Sequence, residues 1–98
     1  ISNLFELQTL ELQENSLVGS IPQTTFLLRA IIEIDVHGNS LDGSIPESMG
    51  ELLGYNLSYL DLSSNELTGS IPSFLDGAEA VFRYIDLSDN PFACPIPW

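Results

Sequence analysis

Four acidic residues, Glu11, Asp35, Asp61 and Asp86, each stand between two apolar residues, in Leu10-Glu11-Leu12, Ile34-Asp35-Val36, Leu60-Asp61-Leu62 and Ile85-Asp86-Leu87. Two residues further on come Gln13, His37, Ser63 and Ser88, and two residues earlier come Thr9, Glu33, Tyr59 and Tyr84. These types at matched spacing could do two kinds of chemistry. His37, Ser63 and a neighbouring aspartate are the members of a nucleophilic triad. A row of carboxylates beside two tyrosines is a surface for a cationic ligand. The triad also demands a strained nucleophile, oxyanion donors and a pocket that excludes water. Short alternating segments with their backbone donors committed to a ladder offer none of these, so we expect no catalysis, no catalytic residue and no cofactor. His37 is expected as an exposed contact residue that makes binding pH-sensitive.

The elements that must position these residues are internal repeats. Four copies run in register: LQTLELQENSLVGSIP from Leu7, IIEIDVHGNSLDGSIP from Ile31, LSYLDLSSNELTGSIP from Leu57 and FRYIDLSDNPFACPIP from Phe82, with cores at 7–22, 31–46, 57–72 and 82–97. Five apolar positions recur in every copy, as in Leu57, Leu60, Leu62, Leu67 and Ile71. Alternation across Leu60-Asp61-Leu62 is the period of a short strand with one face in the core. Asn15, Asn39, Asn65 and Asn90 follow each strand where the chain turns, and an amide that both donates and accepts suits the backbone of a buried turn. We read them as a structural ladder. Gly-Ser-Ile-Pro then supplies a permissive backbone position, an inward Ile and a proline that ends any ladder. Asn-to-Asn intervals of 24, 26 and 25 residues place insertions near Leu53 to Tyr55 and between Ala78 and Phe82. Both fall on the return to the next strand, where register is expected to survive.

With these motifs the chain resembles the plant-specific class of leucine-rich repeat, LxxLxLxxNxLxGxIP. The resemblance implies an α/β right-handed solenoid over 1–98, with a parallel sheet on its concave face and a further short strand near LxGxIP. It also implies short 3₁₀ or helical segments on the convex face, assigned to Gln23–Leu28, Glu47–Leu53 and Ser73–Ala80, the last being the best candidate for a real helix. The family includes receptor-kinase ectodomains, receptor-like proteins and secreted inhibitors of pathogen enzymes, such as the polygalacturonase-inhibiting proteins. Extracellular members carry cysteines in the cap after the last repeat, so Cys94 is a candidate for a cap disulfide. The alternative for a lone cysteine is a small buried apolar residue.

Stacking the coils turns the outward residues into columns, and the middle one is Glu11, Asp35, Asp61 and Asp86. Strands lie about 4.8 Å apart, and like charges at that distance repel by roughly 1 kcal/mol in water and by more where water is scarce. Three readings stand for the column. An acid there accepts hydrogen bonds from local polar groups, as in the family's LDLS pattern. Alternatively the column is a recognition strip for a basic peptide or protein, flanked by Tyr59 and Tyr84. A bridging divalent cation fits least, since calcium takes six or more oxygens, and no metal is assigned. The ligand-binding set is Glu11, Gln13, Glu33, Asp35, His37, Tyr59, Asp61, Ser63, Tyr84, Asp86 and Ser88.

Fourteen acids against two bases give a net charge of −12, which argues against nucleic acid or an anionic membrane as partner. Apolar runs fall far short of the ~20 residues of a membrane span, so this segment is not expected to insert in a membrane. Asn56-Leu57-Ser58 matches the N-glycosylation acceptor pattern, although one match among six asparagines is also what chance provides. Starting at Ile1 and stopping at Trp98 after the last repeat, the chain reads as a fragment. The expected function is a module of an extracellular receptor or secreted recognition protein, holding a protein, peptide or glycan on its concave face. The alternatives are spacer coils of a longer solenoid, or a secreted inhibitor of a foreign enzyme.

Overall fold

In the computed structural model residues 7–21, 30–54, 56–75 and 82–93 are described. Six three-residue strands form β1 (Thr9–Glu11), β2 (Val18–Ser20), β3 (Glu33–Asp35), β4 (Ser40–Asp42), β5 (Tyr59–Asp61) and β6 (Tyr84–Asp86). One sheet is parallel throughout in the order β1-β3-β5-β6, and a second, smaller one pairs β2 with β4. Its register aligns Thr9, Glu33, Tyr59 and Tyr84 in one row and Glu11, Asp35, Asp61 and Asp86 in another. The longer second and third intervals therefore leave the pairing intact. β2 and β4 lie on the LxGxIP segments, where the short extra strand was expected, and Glu66 N–H to Leu41 O (2.8 Å) carries the contact on to the third coil.

Strands this short hold because each turn is locked by its asparagine. The residue before it takes a left-handed backbone, with φ of 56° at Glu14, 71° at Gly38, 55° at Ser64 and 58° at Asp89. For the three that are not glycine this costs about 1 kcal/mol each. What offsets it is the amide that follows. Asn65 Nδ2 donates to Leu62 O (3.1 Å) and Ser63 O (3.0 Å) in its own coil and to Val36 O (3.1 Å) in the preceding one, while its Oδ1 accepts from Leu41 N–H (3.1 Å). Asn39 repeats this towards Leu12 and Leu17, and Asn90 towards Leu62 and Leu67. Among the described residues the Asn15 side chain donates to Leu12 O and Gln13 O in its own coil, and its backbone N–H donates to Asn39 Oδ1 (3.1 Å).

The inward residues form a single core of Ile31, Ile34, Val36, Leu41, Ile45, Leu57, Leu60, Leu62, Leu67, Phe82 and Leu87, closed from the far side by Met49, Leu52 and Leu75. Burial is deepest in the two middle coils, where Ile71 alone of the recurring apolar positions is half-buried, and falls off at the first, where Leu12 and Leu17 are 36% and 37% exposed. Nearest-neighbour stacking explains this gradient, because a coil buries its apolar row only against coils on both sides. Opposite the sheet, Glu47–Gly54 runs as eight residues of 3₁₀ helix and Ser73–Leu75 as one turn. Among the described residues the longer such segment is at Glu47, and most of the expected Ser73–Ala80 helix lies beyond them. Residues 76–80, the segment Gln23–Leu28, the N-terminal residues around Leu4, and Cys94 with the residues to Trp98 lie outside the described residues.

The ladder predicts unequal costs along the solenoid. Asn65→Ala leaves the buried Leu41 amide without its acceptor, at ~1–3 kcal/mol, and takes one donor each from Val36 O, Leu62 O and Ser63 O, which keep Asn39 Nδ2, Asn90 Nδ2 and Gly38 N–H. Urea unfolding should show a loss of about 3 kcal/mol or more for Asn65→Ala and about 1 kcal/mol for the exposed Asn15→Ala. Equal small losses would show that the amides do not hold the coils together.

Candidate functional site

The outward face of the four-stranded sheet brings together the residues that alternation assigned to it, but not as freely exposed groups. Asp35, Asp61 and Ser63 are 7%, 5% and 8% exposed. Expected as open contact residues, they are instead enclosed, because in the middle strands a short side chain is flanked on both sides by its column neighbours. Their carboxylates are satisfied locally through an Asp-x-donor pattern. Asp61 Oδ1 accepts from Ser63 N–H (3.1 Å) and Ser63 Oγ (2.6 Å), and Asp86 Oδ1 accepts from Ser88 N–H (3.0 Å) and Ser88 Oγ (2.7 Å). Asp35 Oδ1 accepts from His37 N–H (3.3 Å) and lies 2.6 Å from His37 Nδ1. This side-chain-to-backbone turn two residues on ends each strand. Burial opposes ionisation of Asp86, yet the Ser88 hydroxyl and amide outweigh it and hold the carboxyl below its ordinary value.

His37 is a second correction. Its side chain is only 29% exposed and lies among three carboxylates from three successive coils: Asp35 Oδ1 at 2.6 Å, Asp61 Oδ2 at 3.5 Å and Glu14 Oε2 at 3.7 Å. The hydrogen bond to Asp35 raises its pKa above the ordinary imidazole value; burial pulls the other way, and the charges of Asp35, Asp61 and Glu14 add to the rise. Glu14 was absent from the sequence-derived set because it sits on the left-handed turn residue outside the strand alternation. The triad drawn on paper does not assemble: Ser63 gives its hydroxyl proton to Asp61, and His37 Nδ1 faces Asp35. Asp35, His37 and Asp61 each offer a donor atom within 4.8 Å of the others. Two ligand atoms on one metal stand ~3 Å or more apart, whereas His37 and Asp35 are already in hydrogen-bond contact at 2.6 Å.

Beside the acids, Tyr59 and Tyr84 stack with centroids 4.6 Å apart and planes 13° from parallel, an aromatic pair set by direct cross-strand register. The Arg83 guanidinium lies 5.1 Å over the Tyr59 ring and 3.6 Å from Glu33 Oε1, reaching two strands back from β6 to β3. Burial, then the surrounding carboxylates, push both tyrosine hydroxyls up from their ordinary value. Glu11 is raised first by a hydrogen bond shared with Glu33 and then by the charge of Glu33. Gln13 Oε1 is buried and has no donor among the described residues. Of the sequence-derived set, Glu11, Tyr84 and Ser88 are open to solvent, while Gln13, Glu33, His37, Tyr59 and Asp86 are half-buried. Asn56 is exposed in a turn, as a glycan acceptor must be. An apolar cavity of ≈ 140 Å³ lined by Leu10, Leu17, Ile34, Leu41 and Met49 lies beneath the sheet, away from this strip.

The repeat geometry has counterparts among known proteins, since the Leucine Rich Repeat family model matches residues 6–28, 30–52 and 56–78. The chain belongs to the leucine-rich repeat family. This leucine-rich repeat chain is 36% identical over 98 residues to receptor-like protein 39 of Arabidopsis thaliana, covering 98% of this chain and 11% of that protein. It is 41% identical over 66 residues to receptor-like protein 32 of the same plant, covering 67% and 8% respectively. It thus spans about a tenth of the relatives it matches. Among solved structures, the Arabidopsis receptor kinase HAESA in complex with the peptide hormone IDA and the co-receptor SERK1 aligns at TM-score 0.86 and 37% identity, over 99% of this chain and 16% of that one. The Arabidopsis BIR3–SERK2 complex aligns at 0.81 and 40% identity, over 93% and 47%. The leucine-rich repeat solenoid is therefore of the plant receptor-like class, and the four-stranded sheet is its concave face.

Protonated His37 stabilises the leucine-rich repeat fold by bridging coils, and the sign follows from its raised pKa. The contribution is complete below the ordinary imidazole value of about 6.5 and is lost as pH rises through the higher folded value. The melting-temperature gap between wild type and His37→Gln should accordingly be widest near pH 6 and close towards pH 9. A gap that is constant or widens with pH would contradict the bridging role.

Proposed function

We propose that residues 1–98 are a four-coil segment of an extracellular receptor-type leucine-rich repeat protein, and that its concave strip recognises a peptide or protein segment carrying basic side chains. The observation that carries this reading is Arg83. The chain's own guanidinium rests over a tyrosine ring and against a glutamate on this face, which is how a ligand arginine would bind one coil further along, on Tyr84 and Asp86. Tyr84 is 41% exposed and its hydroxyl points to Asp86 Oδ2 at 3.4 Å. Aromatic area combined with a fixed negative charge is the composition of a cation-binding surface. The similar structures support a binding role: HAESA is seen with a peptide hormone, and the plant peptide hormone receptor RGFR1, at TM-score 0.68 and 32% identity, is seen with RGF2. No helix among the described residues is long and apolar enough to cross a membrane. The role is recognition and not catalysis, in keeping with the unassembled Ser-His pair.

A second reading has its own support. Asp35, Asp61 and Asp86 are held by donors two residues away, which suffices to explain acids at those positions in coils that only space a ligand site lying elsewhere in the parent protein.

A synthetic penta-arginine peptide separates the two. Recognition predicts binding that weakens severalfold from low to high salt and that Tyr84→Ala and Glu11→Ala, both at exposed positions, each weaken at low salt. Binding that ignores salt and both substitutions would leave the spacer reading.

A further inference from the structure

His37 is the chain's sole histidine, and it occupies the middle of the strip. Its Nδ1 lies between Asp35 at the end of β3 and Asp61 at the end of β5, and its Nε2 turns to Glu14 in the turn after β1. Asp86 at the end of β6 adds a further charge that acts on the ring from one coil beyond. One imidazolium thus faces three carboxylates, with Asp86 beyond them, so the cluster stays negative even with the proton on. Its two buried aspartates are not equally satisfied. Asp35 Oδ1 has the short contact to the ring, and Asp61 Oδ1 has Ser63. Asp61 Oδ2, on a side chain 8% exposed, is met among the described residues by His37 Nδ1 alone, at 3.5 Å, longer than a good hydrogen bond. That oxygen is held by charge, and it loses its partner when the charge goes.

We propose that His37 is a resident cation of the recognition strip, which with its proton neutralises the Asp35–Asp61 pair against a cationic ligand and without it yields the pair to that ligand. The inference rests on the recognition reading above. Neutral His37 keeps one ring donor, and Asp35 at 2.6 Å keeps that hydrogen bond. The charges of Asp61 and Glu14 are then uncompensated, and they attract an ammonium or guanidinium seated on the open part of the strip beside them. Arg83 beside Glu33 carries its charge at the flanking position at every pH, because a guanidinium does not lose its proton. The strip therefore carries one fixed and one removable counter-charge, and the removable one sets its affinity for basic ligands. One unit of charge at ~8 Å and an effective dielectric of ~40 corresponds to about a fivefold change in affinity.

Proton and ligand must then oppose each other reciprocally. Because there is one histidine, the NMR signal of its Cε1–H can be followed from pH 5 to 9 in the purified protein, with and without saturating penta-arginine. The peptide should lower the midpoint of the His37 titration by about half a pH unit or more, and the peptide's affinity should rise about fivefold across the same range. His37→Gln should bind with the high-pH affinity at every pH. If the peptide perturbs the Tyr59 and Tyr84 ring signals and leaves the His37 midpoint unmoved, the competition is wrong and recognition by the strip stands. If the ring signals do not respond at any pH, recognition itself fails, and the competition fails with it.

Discussion

Everything in this molecule depends on a side-chain amide standing in for missing backbone. Strands of three residues followed by a left-handed turn leave carbonyls and amides that no ladder can reach. Asn39, Asn65 and Asn90 each join their own turn to the coil before it, with Nδ2 spread over three carbonyls and Oδ1 on an amide of the neighbouring coil. Left unpaired in the interior, these groups would each cost more than a hydrogen bond gains. The left-handed residue before the amide is what aims it across the gap. Gly38 sits in that place with the Glu14 Cγ only 3.1 Å from where a Cβ would be, so the coils approach closely where the amides cross.

Locked register has an electrostatic consequence. Once β1, β3, β5 and β6 align residue for residue, acids at one repeat position must stand in line. Asp61 and Asp86 answer with a serine two residues on, Asp35 with His37, and Glu33 with Arg83. Serine supplies a donor without charge, and histidine supplies charge that depends on pH. Arginine supplies permanent charge, and its reach crosses the stacked tyrosines. A face built this way is stable without a ligand and still carries excess negative charge, which is the condition for binding cations reversibly.

The fold was legible because the repeat states it. Five apolar positions and one asparagine per coil define strand, turn and stacking direction, and the register of Leu10, Ile34, Leu60 and Ile85 follows from alignment of the copies alone. Direction is not exposure. Alternation sends Asp61 and Ser63 outward, but whether they meet water depends on the width of their neighbours, which one repeat does not contain. Asp-x-His and Asp-x-Ser spacing carries the local hydrogen bonding that the first reading of the column describes, but it does not tell how far those residues are covered. Two partnerships had no signal in the alignment: Glu14 reaches His37 from a turn, and Arg83 reaches Glu33 past an intervening strand. Long flexible side chains make contacts that equivalence of positions does not encode.

Amide hydrogen exchange at Leu41 and Leu67 is the most direct test of the ladder on which the strip is built. Both amides have only a neighbouring asparagine Oδ1 as acceptor, at 3.1 Å and 2.9 Å. The account predicts that they exchange as slowly as Leu62, whose amide is bonded to Asp86 O at 2.9 Å. Exchange of both at the rate of an unprotected loop, with Leu62 still slow, would mean that the coils are held by the core alone and that the asparagines do not set the register.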